Sequence, residues 1–271
     1  LIGVRYIYHE NFKNHATPNV ALMYKPGKFN FRASYAAGFR TPTLSELYAT
    51  DIAKKNDRLT IGNLDLKSEK NNYFSLSAEY VHERFSVSVN AFYNNIRDMI
   101  DYNTIATGDK AMEQYGHKEV RQRDNIAEAK VHGINVSANA YLGAGFNLSG
   151  GYTHLNTQDV ELEQPIDKSI KNAYNINAQW AHSWKIYRLN INLNGRINSK
   201  RFSKSYGYAP EYQLWNLNTR HSFNLKSVII EPGCGMENLF DYMDDRPYNS
   251  NYATLTPGRS FYISLSLKFK S

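Results

Sequence analysis

The residues best suited to chemistry in this chain lie in the segment EQYGHKEVRQR, residues 113–123. Tyr115 and His117 are types that can ligate iron, and Arg121 and Arg123 can pair with the carboxylates of a bound haem or iron chelate. An ordinary solvated loop histidine accounts for His117 more readily than a ligand does. Asp241, Asp244 and Asp245 could hold calcium through oxygen ligands, or could be a solvated loop. His182–Ser183 and His221–Ser222 suggest nucleophilic catalysis, but adjacent residues of a strand point to opposite faces, which argues against an enzyme. Cys234 is the only cysteine, so neither an intrachain disulfide nor a cysteine metal site is available.

The elements that must position these residues are strands. Leu189, Ile191, Leu193, Gly195 and Ile197 alternate with Asn190, Asn192, Asn194, Arg196 and Asn198. Phe85–Ala91, Ile134–Ala140 and Phe261–Phe269 alternate in the same way, apolar against Ser, Asn or other polar residues. The pattern predicts about twelve strands, near 1–9, 17–25, 28–40, 71–82, 85–100, 124–141, 145–157, 172–184, 187–202, 211–224, 228–241 and 259–269. Tight turns (KPGK, VHER, LGAG and KI) alternate with long connections at 41–70, 101–123, 158–171, 203–210 and 242–258. Tyr24, Phe29, Tyr80, Phe85, Tyr141, Phe146, Trp184 and Tyr187 flank the tight turns. That arrangement fits an antiparallel up-and-down transmembrane β-barrel, with short turns on one side, long loops on the other and an aromatic girdle between. A soluble β-sandwich also alternates, but its strands are shorter than the nine to eleven residues seen here, and it has no reason to alternate connection length.

Composition agrees. The 271 residues are 42% hydrophobic and include 21 tyrosines, and apolar residues are interleaved with polar ones rather than gathered into a helical span. The net charge of +7 is dispersed, which argues against nucleic acid and suits lipopolysaccharide phosphates. The chain opens directly in a strand, LIGVRYIY, with no leader, as a mature or incomplete exported protein would.

Two stretches carry a resemblance to the TonB-dependent outer-membrane receptors. The first is SYAAGFRTPTLSELY at 34–48 with GNLDLKSEKNNYFSLSAEY at 62–80, in which Phe39, Arg40, Pro42, Glu46, Leu47, Tyr48, Asn63, Asp65, Leu66 and Glu69 fall on the family pattern. The second is MENLFDYMDDRPYN at 236–249 with TPGRSFYISLSLKF at 256–269, carrying Asn238, Leu239, Phe240, Asp241, Pro257, Gly258 and Arg259. Read physically, Pro42 ends a strand, Asn238 and Asp241 turn the backbone, and Gly258 frees φ before the last strand. Both motifs then serve strand termination in preference to ligand contact. The chain departs from the pattern in ending Lys270–Ser271 beyond Phe269.

The resemblance implies an integral outer-membrane receptor importing a scarce nutrient by TonB-coupled transport. Iron-siderophore, haem and cobalamin stand open in that order. It implies that residues 1–271 are the last twelve of 22 strands, with the plug and the first ten strands absent. The expected partners are those missing segments, a TonB-type protein acting through the plug, the nutrient, and outer-membrane lipid. No cofactor is called for. Ligand contact is expected at Tyr48, Tyr102, Tyr115, His117, Arg121, Arg123, Tyr206, Tyr208, Tyr248 and Tyr252, which sit on the long connections. The family's haem importers would place a histidine within 41–66, and none is there, which leaves His117. A passive porin or adhesin barrel is the alternative, and an outer-membrane lipase a further one.

Overall fold

A computed structural model describes residues 1–8, 14–126, 128–203, 207–244 and 257–270. The chain begins with β1 (Ile2–Ile7), β2 (His15–Tyr24) and β3 (Phe29–Arg40), then α1 (Leu44–Tyr48), β4 (Thr50–Ala53) and β5 (Arg58–Ile61). Next come β6 (Glu69–Val81), β7 (Phe85–Arg97), β8 (Met99–Thr107), α2 (Gly108–Tyr115) and β9 (Glu119–Ile126). It continues through β10 (Ala129–Gly143), β11 (Phe146–Asp159), β12 (Asn172–Trp184) and β13 (Tyr187–Asn198). The last elements are β14 (Arg201–Ser203), β15 (Gly207–Ala209), β16 (Tyr212–Asn224), β17 (Val228–Glu237) and β18 (Ser260–Phe269).

Twelve of these form one antiparallel sheet in the order β1-β2-β3-β6-β7-β10-β11-β12-β13-β16-β17-β18. Every neighbour in the sheet is the next long strand in sequence, and each corresponds to one of the twelve alternating segments. Among the described residues the sheet stays open, with β1 and β18 each paired on one side only.

The register turns the sequence alternation into two continuous surfaces. Phe85, Ala140, Leu148, Ala178, Leu193, Leu217, Met236 and Phe261 stand in one row across eight strands. On the opposite face, Ser86, Asn139, Ser149, Asn177, Asn194 and Asn216 form a row. Hydrogen bonds knit the polar face: Asn177 donates to Asn192 at 2.8 Å and Asn194 at 2.6 Å, and Ser88 meets Ser137 at 2.8 Å. The apolar face stays largely exposed, with Leu22, Leu76, Leu148 and Ile263 uncovered. A soluble sandwich would bury that face against a second sheet; an exposed apolar band around a polar wall is what hydrocarbon solvates.

Aromatic rings collect at the short-turn end of the apolar face. Phe29 packs on Tyr80 (centroids 4.9 Å apart), Tyr80 on Phe85 (5.6 Å), Phe146 on Trp180 (5.9 Å), and Tyr187 on Phe223 (5.0 Å). His182 and His221 belong to this belt. Their partners in register, Leu189 for both, are apolar-face residues, and Tyr187 Oη meets His221 Nδ1 at 2.7 Å. Tyr141 departs from the expected girdle. It is opposite Asn147, one step out of phase with Ala140, and so stands on the polar face.

Two long connections fold in place of the plain loops expected at 41–70 and 101–123. The strand expected over 85–100 breaks at Asp98, whose φ of 55° turns the chain out of the wall. Beyond it, β8, β9, β5 and β4 form a separate four-stranded sheet in which β5 and β9 run parallel. Val120 and Ala111 are fully buried between this sheet and α2, with Ala106, Leu59, Ile61 and Tyr115 around them.

Candidate functional site

The long-connection end is organised by a charge clamp. Arg40, the last residue of β3, meets Glu46 of α1 at 2.9 Å and Glu69, the first residue of β6, at 2.6 Å. Its Nε also donates to Glu69 at 2.8 Å, so the Glu69 carboxylate is gripped bidentately. Glu69 accepts the Ile100 amide as well, at 2.8 Å, which ties the clamp to β8. Thr43 and Glu46 form a reciprocal capping box on α1. Burial pushes the Glu46 carboxyl up, but Arg40 and Thr43 outweigh it and hold it below the usual carboxylate range.

The rest of the first motif serves the same purpose. The Asn63 amide bonds the Glu46 carbonyl at 3.0 Å, and Asn63 Oδ1 receives the Asp65 amide at 2.9 Å. At Gly62 an added Cβ would lie 2.4 Å from the Leu47 carbonyl oxygen, so only glycine allows the chain so close to α1. Leu66 and Pro42 are buried, and Phe39 stacks on His15 at 4.2 Å. Asn125 Nδ2 donates to the Lys67 and Asp98 carbonyls, at 3.0 and 2.6 Å, and stitches the connection to the wall. Tyr48 is the exception: it projects into solvent.

The second motif is also structural. Asn238 and Asp241 have left-handed φ of 51° and 56°. Buried Asn238 donates to the Tyr242 carbonyl at 2.7 Å and accepts the Tyr242 amide at 2.9 Å. Leu239 bonds the Trp215 carbonyl through its amide, and Phe240 rests edge-on against the Trp215 ring. Asp241 accepts the Arg259 amide at 2.6 Å, while the Pro257 carbonyl lies 3.3 Å from Asn238. Gly258 does not take a positive φ, contrary to expectation. Its role is space, because a Cβ would come within 3.0 Å of Asp241 Oδ1. With Asp241 so engaged and Asp245 outside the described residues, the calcium reading has no support. Among the described residues no group of His, Cys, Asp and Glu could hold a metal ion.

The four-stranded sheet gathers the cationic residues. Register puts Tyr102 opposite Arg123, Thr104 and Thr60 opposite Arg121, and Arg58 opposite Glu119, all on the face away from Val120. The Arg123 guanidinium lies 3.6 Å over the Tyr102 ring, and Arg121 meets Glu119 at 2.6 Å. Arg58, which sequence reasoning did not single out, has a buried Nε with no hydrogen-bond partner among the described residues. The signal that would have found it is the parallel β5–β9 pairing, a contact across about sixty residues that local patterning does not encode. Tyr115 packs, partly buried, against the small core of Val120, Ala111 and Ala106 beneath α2. Tyr208 is exposed beside Phe202 on β15. Tyr206, Tyr248 and Tyr252 lie outside the described residues.

His117 acts as a latch. Its Nδ1 meets Asp57 Oδ1 at 2.9 Å, and the Lys118 amide donates to the Asp57 carbonyl at 3.0 Å, joining the β4–β5 turn to the segment after α2. The His117 hydrogen bond holds the Asp57 carboxyl below its usual range, against a smaller opposing push from desolvation. A carboxyl lowered in the folded state stabilises above its unfolded pKa of about 3.9 and loses that contribution as pH falls through the lower folded value. Lys118 amide exchange should therefore keep its protection between pH 7 and 5. Asp57→Ala should speed it by about tenfold. Loss of wild-type protection already at pH 5 would refute the latch.

An apolar-banded, polar-lined antiparallel sheet with short turns at one end and folded connections at the other defines the wall of a membrane β-barrel. Residues 1–239 match the family described as TonB dependent receptor-like, beta-barrel, and the chain belongs to it. Among solved structures it resembles the ferric enterobactin receptor PfeA of Pseudomonas aeruginosa (TM-score 0.78, 19% identity, 99% of this chain and 42% of that one). It also resembles the siderophore receptor PirA of Acinetobacter baumannii (TM-score 0.74, 17% identity, 99% and 43%). A third is the copper transporter OprC (TM-score 0.70, 13% identity, 93% and 40%). The chain thus spans less than half the length of these relatives, and the likeness at such identity is one of fold.

Proposed function

We propose that this chain is part of an outer-membrane receptor that takes up an anionic iron chelate by TonB-coupled transport. The observation that carries the reading is the face bearing Arg58, Arg121, Arg123 and Tyr102 on the folded long connections. Guanidinium groups and a flat ring suit a planar, negatively charged ligand. A siderophore ranks first, because several guanidinium groups on one face suit a chelate carrying more than one negative charge; haem ranks second, since the Asp57 contact occupies only Nδ1 of His117, and cobalamin ranks last. The names of the solved relatives, two siderophore receptors and a copper transporter, support the class of receptor.

The wall is incomplete by itself. β1 and β18 each offer an unpaired edge, and backbone groups unpaired in lipid are costly. In this reading residues 1–271 are the last twelve of 22 strands, and ten further strands and a plug complete the receptor. TonB acts through the plug. A stable pore formed by these twelve strands alone would contradict that.

Uptake by cells carrying the natural protein tests the function. Labelled ferric siderophore should accumulate, and collapse of the inner-membrane potential should abolish accumulation. Continued import would favour a passive porin. Arg121→Ala with Arg123→Ala should weaken siderophore binding about a hundredfold, at roughly 1–2 kcal/mol for each charge-assisted contact, with unchanged folding. Unaltered affinity would remove this face from the site.

A further inference from the structure

The positive charge of this chain is unevenly placed. The five short connections, 25–28, 82–84, 144–145, 185–186 and 225–227, carry Lys25, Lys28, Arg84, Lys185 and Lys226 against a single acid, Glu83. The described residues of the long connections carry thirteen Lys and Arg against seventeen Asp and Glu. Of the two ends of the wall, it is therefore the short-turn rim that is basic, while the described long connections are net acidic. All five basic residues are exposed, and none forms an ion pair among the described residues.

Directly beside this charge stands the aromatic shelf on the apolar face. Trp184 stacks on Tyr187 at 5.5 Å and His182 packs on Trp184 at 4.4 Å, both flanking Lys185. His82 stacks on Phe85 at 5.0 Å, next to Arg84. Rings of this kind seat at the level of the glycerol and headgroup, and cations just beyond them reach the phosphate.

We propose that the short-turn rim is a docking belt for anionic phospholipid headgroups in the adjoining leaflet, with Lys25, Lys28, Arg84, Lys185 and Lys226 as its phosphate contacts. The occupant is argued from charge complementarity: isolated cations spaced around a rim suit many separate monoanionic headgroups, rather than one compact polyanion. The belt would fix the depth and tilt of the barrel wall, and it rests on the reading that these strands span a bilayer.

The test uses the natural full-length protein in vesicles of equimolar phosphatidylcholine and phosphatidylglycerol, with spin-labelled lipid of each kind. Restricted label should favour phosphatidylglycerol by about fivefold at low salt and approach parity at high salt. Lys25, Lys28, Arg84, Lys185 and Lys226, all changed to Gln, should abolish the preference. Lys54, Lys55, Lys110, Lys118 and Lys168, all changed to Gln on the other rim, should leave it intact. Parity in the wild type, or equal loss in both variants, overturns the proposal. Absence of any restricted lipid would instead overturn the bilayer-spanning reading, and the belt with it.

Discussion

Leu217→Arg is expected to destabilise the protein by about 2–4 kcal/mol in lipid, whereas Asn218→Arg, one residue further on, should cost less than about 1 kcal/mol. Both positions sit at the middle of β16, so they differ in facing alone. Leu217 stands in the apolar row between Leu193 and Met236, where a guanidinium would have to enter hydrocarbon or drag water in with it. Asn218 lies between Asn192 and Gly235 on the polar face, where the added charge stays hydrated. Equilibrium urea unfolding of the natural protein from vesicles measures both. Equal costs would mean that the two faces have been assigned wrongly, and the barrel reading would fall with them.

The second large effect is expected at the clamp. Arg40→Met leaves Glu46 and Glu69 facing each other without the cation that both grip. The Arg40 side chain is 42% exposed, so the cost falls between that of a surface pair and a buried one, at about 2 kcal/mol. Hydrogen exchange at the Leu47 and Asn63 amides, which bond the Thr43 and Glu46 carbonyls, should accelerate by about thirtyfold. Glu69→Gln added to Arg40→Met should recover part of the loss by removing one of the stranded charges. If ligand affinity dropped while those amides kept their protection, Arg40 would be a ligand contact, and the structural account of the motif would be wrong.

The two motifs show how far reading by residue type reaches. Pro42, Asn238 and Asp241 end or turn strands as their chemistry requires, and that much is local. Gly258 looked equally local, as a freer of φ, yet what sets it apart is the close approach of Asp241 Oδ1, from seventeen residues away, 3.0 Å from where a Cβ would stand. Tyr141 fails for a related reason. An aromatic beside a tight turn reads as girdle, but parity counted along β10 assigns it to the polar face.

Alternation with period two is a property of the chain itself, since successive side chains of a strand must point oppositely. The twelve wall strands, their antiparallel neighbour order and the segregation of short turns from long connections were therefore determined by sequence alone. The four-stranded sheet built from the long connections was not, because its defining contact, β5 on β9, joins segments about sixty residues apart whose pairing carries no local signature. Only the tertiary structure decided that Arg58 shares a face with Arg121 and Arg123, that Tyr115 packs on the small core, and that the short-turn rim is basic while the described long connections are net acidic. Each of these depends on which distant segments meet, and not on what any one segment prefers.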